Sequence, residues 1–260
     1  MKRALVALLM CAAGSARGQT LLGQEQRLID IHALLLDLPP VDAPGTYRAG
    51  QLGVGVEAIG VPPIDGSTGT PGVQGFKRQF TASDRTPVFP RPRVTLGLPA
   101  PQSYRAFVGV SYVPPVEVSS VSLHYIGGEA GFAYMPGPLA VGLRAHVLYA
   151  QSETPVTDPV LRDRLRVTEF GADVSAGYLL ELGELGVTPY GGVGVSRSHG
   201  NFRVTSDGVT LTSDDTAAAL HAGLRLLFGA RWLGVAEVDA YPGRLVHPNF
   251  RVAYLFDLFQ

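Results

Sequence analysis

The stretch FRVAYLFDLFQ at residues 250–260 sets apolar side chains at every second position: Phe250, Val252, Tyr254, Phe256 and Leu258. Arg251, Ala253, Leu255 and Asp257 fall between them. A period of two means a β-strand with two unlike faces. The same signature recurs along most of the chain, which is what most constrains its fold. Leu52, Val54, Val56 and Ala58 oppose Glu57, and Val94, Leu96 and Leu98 oppose Arg93 and Thr95. Ala106, Val108, Val110 and Tyr112 oppose Arg105 and Ser111, and Ala130, Phe132 and Tyr134 oppose Glu129. Leu139 to Tyr149 alternates against Arg144 and His146; Phe170 to Leu180 alternates against Glu169, Asp173 and Ser175. Pro189, Gly191, Val193 and Val195 oppose Tyr190 and Ser196. Leu220 to Phe228 alternates against His221 and Arg225, and Ala236, Val238 and Ala240 oppose Glu237 and Asp239. About ten strands are expected, within a range of roughly eight to twelve, most near the 9–11 residues that cross a bilayer at a tilt.

The face opposite the apolar one carries Arg, Glu, Asp and His. A dry core cannot hold so many charges without costly desolvation, so that face is expected to be wet. A soluble sandwich and a membrane barrel both satisfy this. The connections separate them. Residues 62–91, the run from Pro114 to 127, 151–165 and 199–216 read as long, and YPGRLVHPN as moderate. Pro99 to Ser103, Pro136-Gly137-Pro138, the ELGELG run and Gly229 to Arg231 read as short. Alternating long and short links are how membrane barrels are built, with short turns at one end and longer loops at the other. An even strand number then puts both termini at the periplasmic end. Tyr112, Tyr149, Phe170, Tyr241 and Phe250 are expected to form an outer aromatic girdle, and Tyr134, Tyr178, Phe228, Trp232 and Phe256 an inner one.

Other features bound the problem. Net charge is −1, so there is no electrostatic footprint for nucleic acid. The 32 glycines among 260 residues favour turns and strands over a helical enzyme. Residues 1–18 read as a secretory signal peptide: Lys2 and Arg3, an apolar core from Ala4 to Ala13, then small residues. Cys11 is the single cysteine, so the mature chain forms no disulfide. Residues 19–44 are expected to hold a helix, at 21–38, and a linker; Pro39 and Pro40 stop it. That helix is expected on the periplasmic side or at the lumen mouth, as a packing element or as a plug. The barrel itself is expected over residues 45–260.

On the signal peptide, the strand alternation, the loop asymmetry and the terminal strand, the chain resembles small bacterial outer-membrane β-barrel proteins over residues 45–260. The resemblance implies a closed antiparallel barrel in a Gram-negative outer membrane. It implies contact with outer-membrane lipid, and with the barrel-insertion machinery through the C-terminal strand. There the aromatic Phe259 is penultimate rather than last. Three functions fit: a narrow porin-like or structural barrel passing small solutes, a surface adhesion or binding protein acting through its loops on surface ligands, and a rim hydrolase.

No cofactor or metal is expected from motifs. GGVGV at 191–195 lacks the GK[ST] ending of a phosphate loop, and the acidic loops lack calcium-loop spacing. The polar positions expected to line the lumen are Glu129, Arg144, His146, Glu169, Asp173, His221, Arg225, Glu237, Asp239, Arg251 and Asp257. They are read as electrostatic filling of a narrow interior rather than as an acid/base site. His199, Asp207, Asp214 and Asp215 in one loop, and Asp158 and Asp163 in another, are the remaining candidates. Ser198-His199 is the nearest approach to a hydrolase pair, and the chain is expected not to be an enzyme.

Overall fold

Alternation, repeated this often, closes on itself. In the computed structural model, residues 29–30, 33–60, 88–118, 121–154, 160–205 and 208–258 are described. Eleven strands follow in chain order: β1 Gln51–Gly60, β2 Val88–Leu98, β3 Tyr104–Val118, β4 Val121–Tyr134, β5 Leu139–Thr154, β6 Asp163–Tyr178, β7 Leu180–Leu182, β8 Leu185–Arg203, β9 Thr210–Phe228, β10 Trp232–Tyr241 and β11 Leu245–Asp257. Sequence neighbours pair antiparallel except β6 and β7; β1 pairs with β11, and β6 pairs with β8. The short β7 is a tab on β8, so ten long strands form a closed ring with no free edge. Closure satisfies every ladder group internally, as hydrocarbon surroundings demand.

The faces sort by polarity in the sense opposite to a water-soluble protein. Val56, Leu143, Val147, Phe170, Val193, Phe250 and Val252 are more than half exposed. Glu57, Arg91, Arg93, Glu169 and Arg251, at alternate positions, are 0–2% exposed. An apolar outer belt around a charged interior is the surface of a protein solvated by lipid. Aromatic rings cluster at both rims of the belt. Tyr104 stacks on Phe132, and Trp232 meets Tyr254 edge-on, at the end with the short turns. Tyr112, His124 and Tyr149 form a chain of edge contacts toward the other end.

Several expectations about connections are corrected. Of the residues expected to be loops at 114–127, 151–165 and 199–216, those described are largely strand. β3 continues through Pro114 and Pro115 by a register shift between Val113 and Val116, and pairs with β4 up to Val118 opposite Val121. β8 and β9 each run for 19 residues. Polar residues there keep the ladder without needing an apolar face, which is why periodicity alone misses them. Nineteen residues at about 3.3 Å each, tilted about 40°, rise roughly 48 Å, against an apolar belt of about 25 Å. The β8–β9 hairpin therefore stands well clear of the belt. The YPGRLVHPN link is a tight turn, with β11 starting at Leu245. Tyr241 is not a girdle residue: it is 2% exposed and points inward, because it shares parity with Glu237 and Asp239.

The segment before β1 is the larger departure. Ile29 packs with Val113, Leu148, Leu165 and Val167, near the end where β5 joins β6. Tyr47 packs with Leu233 and Leu255, at the end with the short turns. Residues 29–30 and 33–48 thus thread the barrel along its length. Among the described residues the helical turns are at 29–30 and 33–36; Asp37 and Leu38, expected to be helical, are not, and residues 21–28 and 31–32 of the expected helix lie outside the described residues, as do the signal peptide and residues 61–87. The threading also separates the ends: Gln51 and Asp257 share the short-turn end, and Ile29 lies at the opposite one.

Candidate functional site

The interior is built from charge alternating across neighbouring strands. Arg91 on β2 meets Glu57 on β1 at 2.7 Å. Arg93 on β2 pairs with Glu57 as well, and its Nε donates to Glu129 on β4 at 2.7 Å. Arg144 on β5 sits 3.0 Å from Glu129 and 2.8 Å from Asp173 on β6. Three guanidinium groups and three carboxylates thus form one neutral chain over five strands. The reach from β2 to β4 crosses β3 at Gly109, where an added Cβ would come within 2.9 Å of Glu129 Cγ. Glycine there is a gap for the crossing carboxylate. Each ion is buried, so each needs its partner: a lone buried charge costs several kcal/mol.

The threading segment is bonded into this chain through its backbone. Arg91 donates to the carbonyl of Asp37 at 2.8 Å and Arg144 to that of Leu38 at 2.8 Å. Arg93 and Arg144 both reach the carbonyl of Pro39, at 3.4 and 3.3 Å. Pro39 and Pro40 have no N–H, so the middle of the segment presents acceptors to a cationic wall and few donors to satisfy. The next N–H, of Val41, donates to Glu237 at 2.9 Å. Val41 has φ 39°, a conformation that β-branched residues avoid, so the Glu237 bond holds a strained bend. Lower down, Asp42 accepts from Tyr47 at 2.6 Å and from Arg251 at 2.7 Å.

The remaining polar positions are distributed as follows. Glu237 also accepts from Tyr190 at 2.7 Å, and Asp239 accepts from Asn249. Arg225 donates to Thr188 at 2.8 Å and to Thr46 at 3.3 Å. Arg251 also reaches Thr95 at 3.3 Å. His146 and His221 lie across glycines of the adjacent strands: an added Cβ on Gly171 would come within 2.7 Å of His146 Nε2, and one on Gly192 within 2.7 Å of His221 Cε1. His146 Nε2 is 3.0 Å from Asp37 Oδ1. Glu169 is fully buried with no hydrogen bond to either oxygen. Asp257 alone of the eleven is exposed: it sits at the short-turn mouth, 3.5 Å from Gln51 Nε2, because β11 ends there. Sequence reasoning did not single out Asp37, Asp42, Arg91, His247 or Asn249, and it placed Tyr241 on the lipid face. Asp37 and Asp42 lie outside any strand, so no periodicity marks them.

The loop candidates do not come together as a catalytic group. His199 and Asp214 face each other across β8 and β9 at 2.9 Å, both side chains more than half exposed. Ser198 is buried at 5% and Ser213 donates inward to Asp30 at 2.6 Å, so both hydroxyls are on the other face of the sheet from the His199 ring. Asp215 is 2.9 Å from Arg244. Asp163, expected in a loop, begins β6, is fully buried and accepts from the N–H of Thr205 at 2.8 Å. Asp158 and Asp207 lie outside the described residues.

No protein-family model and no curated protein matches the chain. Among solved structures, the translocator domain of the autotransporter NalP from Neisseria meningitidis is similar at 12% identity and a TM-score of 0.47, over 90% of this chain and 94% of that one. The beta domain of the Bordetella autotransporter BrkA is similar at 13% identity and a TM-score of 0.45, over 82% of this chain and 100% of that one. Ail, the attachment invasion locus protein of Yersinia pestis, is similar at 13% identity and a TM-score of 0.33, over 80% of this chain and 100% of that one.

Proposed function

We propose that this chain is a Gram-negative outer-membrane barrel of the narrow, porin-like or structural kind, closed at rest by its own residues 29–30 and 33–48. One observation carries the reading: Arg91, Arg93 and Arg144, fixed to the wall by Glu57, Glu129 and Asp173, donate to three successive backbone carbonyls of the threading segment. Small solutes pass only when that segment leaves. Withdrawal breaks several charge-assisted bonds, each worth about 1.5–3 kcal/mol, so the closed state dominates without a trigger. The barrel floats in outer-membrane lipid through its apolar belt and enters it by way of the insertion machinery acting on β11. In planar bilayers the intact protein is expected to be silent. A variant lacking residues 19–44 is expected to give steady openings. Equal conductance from both would refute the plug.

A second reading rests on the β8–β9 hairpin, whose 19-residue strands rise past the belt and carry His199 and Asp214 into water. Such a wall suits a surface ligand. Replacing residues 199–216 with a tight turn should abolish binding to a cell or matrix surface while leaving the barrel folded. Unchanged binding would remove this reading. A rim hydrolase is disfavoured, since Ser198 and Ser213 face away from the His199 ring.

A further inference from the structure

At mid-lumen, beside the arginine chain, lies a second group of a different kind. Asp37 from the threading segment, His146 from β5 and Glu169 from β6 are all buried, and their ligand atoms lie within 4.8 Å of one another. The arginines nearby are committed: Arg91 to Glu57, Arg93 to Glu57 and Glu129, Arg144 to Glu129 and Asp173. Two carboxylates therefore meet with only an imidazole to balance them. Asp37 has partners of its own. Its Oδ1 accepts from the N–H of Leu38 at 2.6 Å, and its Oδ2 accepts from Ser196 at 3.1 Å and from the Tyr241 hydroxyl. Glu169 is 0% exposed and lies close to the Asp37 carboxyl and the Ser196 hydroxyl, but neither of its oxygens makes an aligned hydrogen bond among the described residues, and the Ser196 proton is given to Asp37. His146 Nε2 is near Asp37 Oδ1 but not aligned as a hydrogen bond. A buried carboxylate without a donor is among the costliest arrangements in a protein interior, and it points to a cation.

We propose that Asp37, His146 and Glu169 bind one divalent first-row transition-metal ion, with Zn²⁺ the best fit. One imidazole nitrogen and two carboxylate oxygens are a borderline donor set, suited to Zn²⁺ and less so to Mg²⁺ or Ca²⁺, which take oxygen alone. Tetrahedral Zn²⁺ needs its ligand atoms about 3.3 Å apart, from bond lengths of about 2.0–2.1 Å. Rotation of the unbonded Glu169 side chain supplies that contraction. A small cavity lined by Asp37, His146, Ser196, His221, Asp239 and Tyr241 adjoins the group and gives room for a fourth, water ligand. Two wall ligands and one segment ligand make the ion a staple between barrel and plug. The site depends on where Asp37 sits and stands whether or not the lumen conducts.

The test uses the full chain without an affinity tag, stripped with chelator and refolded in detergent with and without Zn²⁺. One Zn²⁺ retained per folded chain after gel filtration is expected. Glu169→Gln and Asp37→Asn should weaken binding by at least roughly 100-fold, and His199→Ala, at the exposed rim, should leave it unchanged. Where a lumen variant fails to fold, Co²⁺ in the wild-type protein decides. Intense four- or five-coordinate d–d bands support the site, and the weak spectrum of the hexaaqua ion refutes it. No stoichiometric metal in the folded chain, or equal retention by Glu169→Gln, overturns the proposal and leaves a proton shared between the two carboxylates.

Discussion

Removing Arg144 tests whether the lumen is held by its charge chain. The side chain is 6% exposed and serves four acceptors: Glu129 at 3.0 Å, Asp173 at 2.8 Å, and the carbonyls of Leu38 and Pro39 at 2.8 and 3.3 Å. Replacement by Met keeps much of the volume and deletes the charge. Glu129 retains Arg93, but Asp173 loses its only ion pair among the described residues. Stranding one buried partner costs about 3–5 kcal/mol. The double variant Arg144→Met/Asp173→Leu strands no wall charge and leaves the Leu38 carbonyl without this donor, the Pro39 carbonyl keeping Arg93. It should cost about 1–3 kcal/mol, less than the single change. The measurement is denaturant unfolding in detergent micelles or lipid vesicles, followed by gel mobility and tryptophan fluorescence from Trp232. The single variant is expected to unfold at clearly lower denaturant, with the double variant recovering part of the loss. A single variant as stable as wild type, or a double variant worse than additive, would show that the chain is not what holds the interior together.

Three further outcomes follow from the geometry. The folded protein should resist cold SDS and change mobility on boiling, as a closed barrel does; a periplasmic protein with no shift would return the soluble sandwich. Gly109→Val places methyl groups where Glu129 crosses β3, and should destabilise by about 2–4 kcal/mol, while the same change at Gly137, where nothing lies within 4 Å but φ is +76°, should cost about 1–2 kcal/mol through backbone strain; comparable losses at both sites would remove the crossing-gap argument. On the lipid face, Leu143→Arg should cost about 2–4 kcal/mol, whereas Asp214→Arg above the belt should stay within about 1 kcal/mol; equal effects in vesicle unfolding would place the membrane elsewhere.

How much of this was legible depends on the kind of order involved. Period-two alternation is local, so the strand cores, the closed all-β class and the inward parity of residues such as Glu129, Arg144 and Asp239 can be read from neighbours in the chain. Where polar residues continue a strand beyond the belt, as at Ser196 to Arg203 and Thr210 to Thr216, the pattern loses contrast and the strands look like loops. Tyr241 shows the same limit: its type suggests a girdle, and only its parity with Glu237 and Asp239 puts it inside.

The chain by itself determines that one face of each strand is apolar and the other charged, because side-chain direction along a strand follows from covalent geometry alone. Tertiary structure decides what occupies the space those charges enclose. Residues 29–30 and 33–48 carry no strand period, and their place in the lumen depends on acceptors at Asp37, Leu38 and Pro39 meeting donors 54 to 106 positions away. The meeting of Asp37, His146 and Glu169 has the same origin. Closure of the ring brings β5 and β6 around the threaded segment, and no spacing along the sequence encodes that proximity.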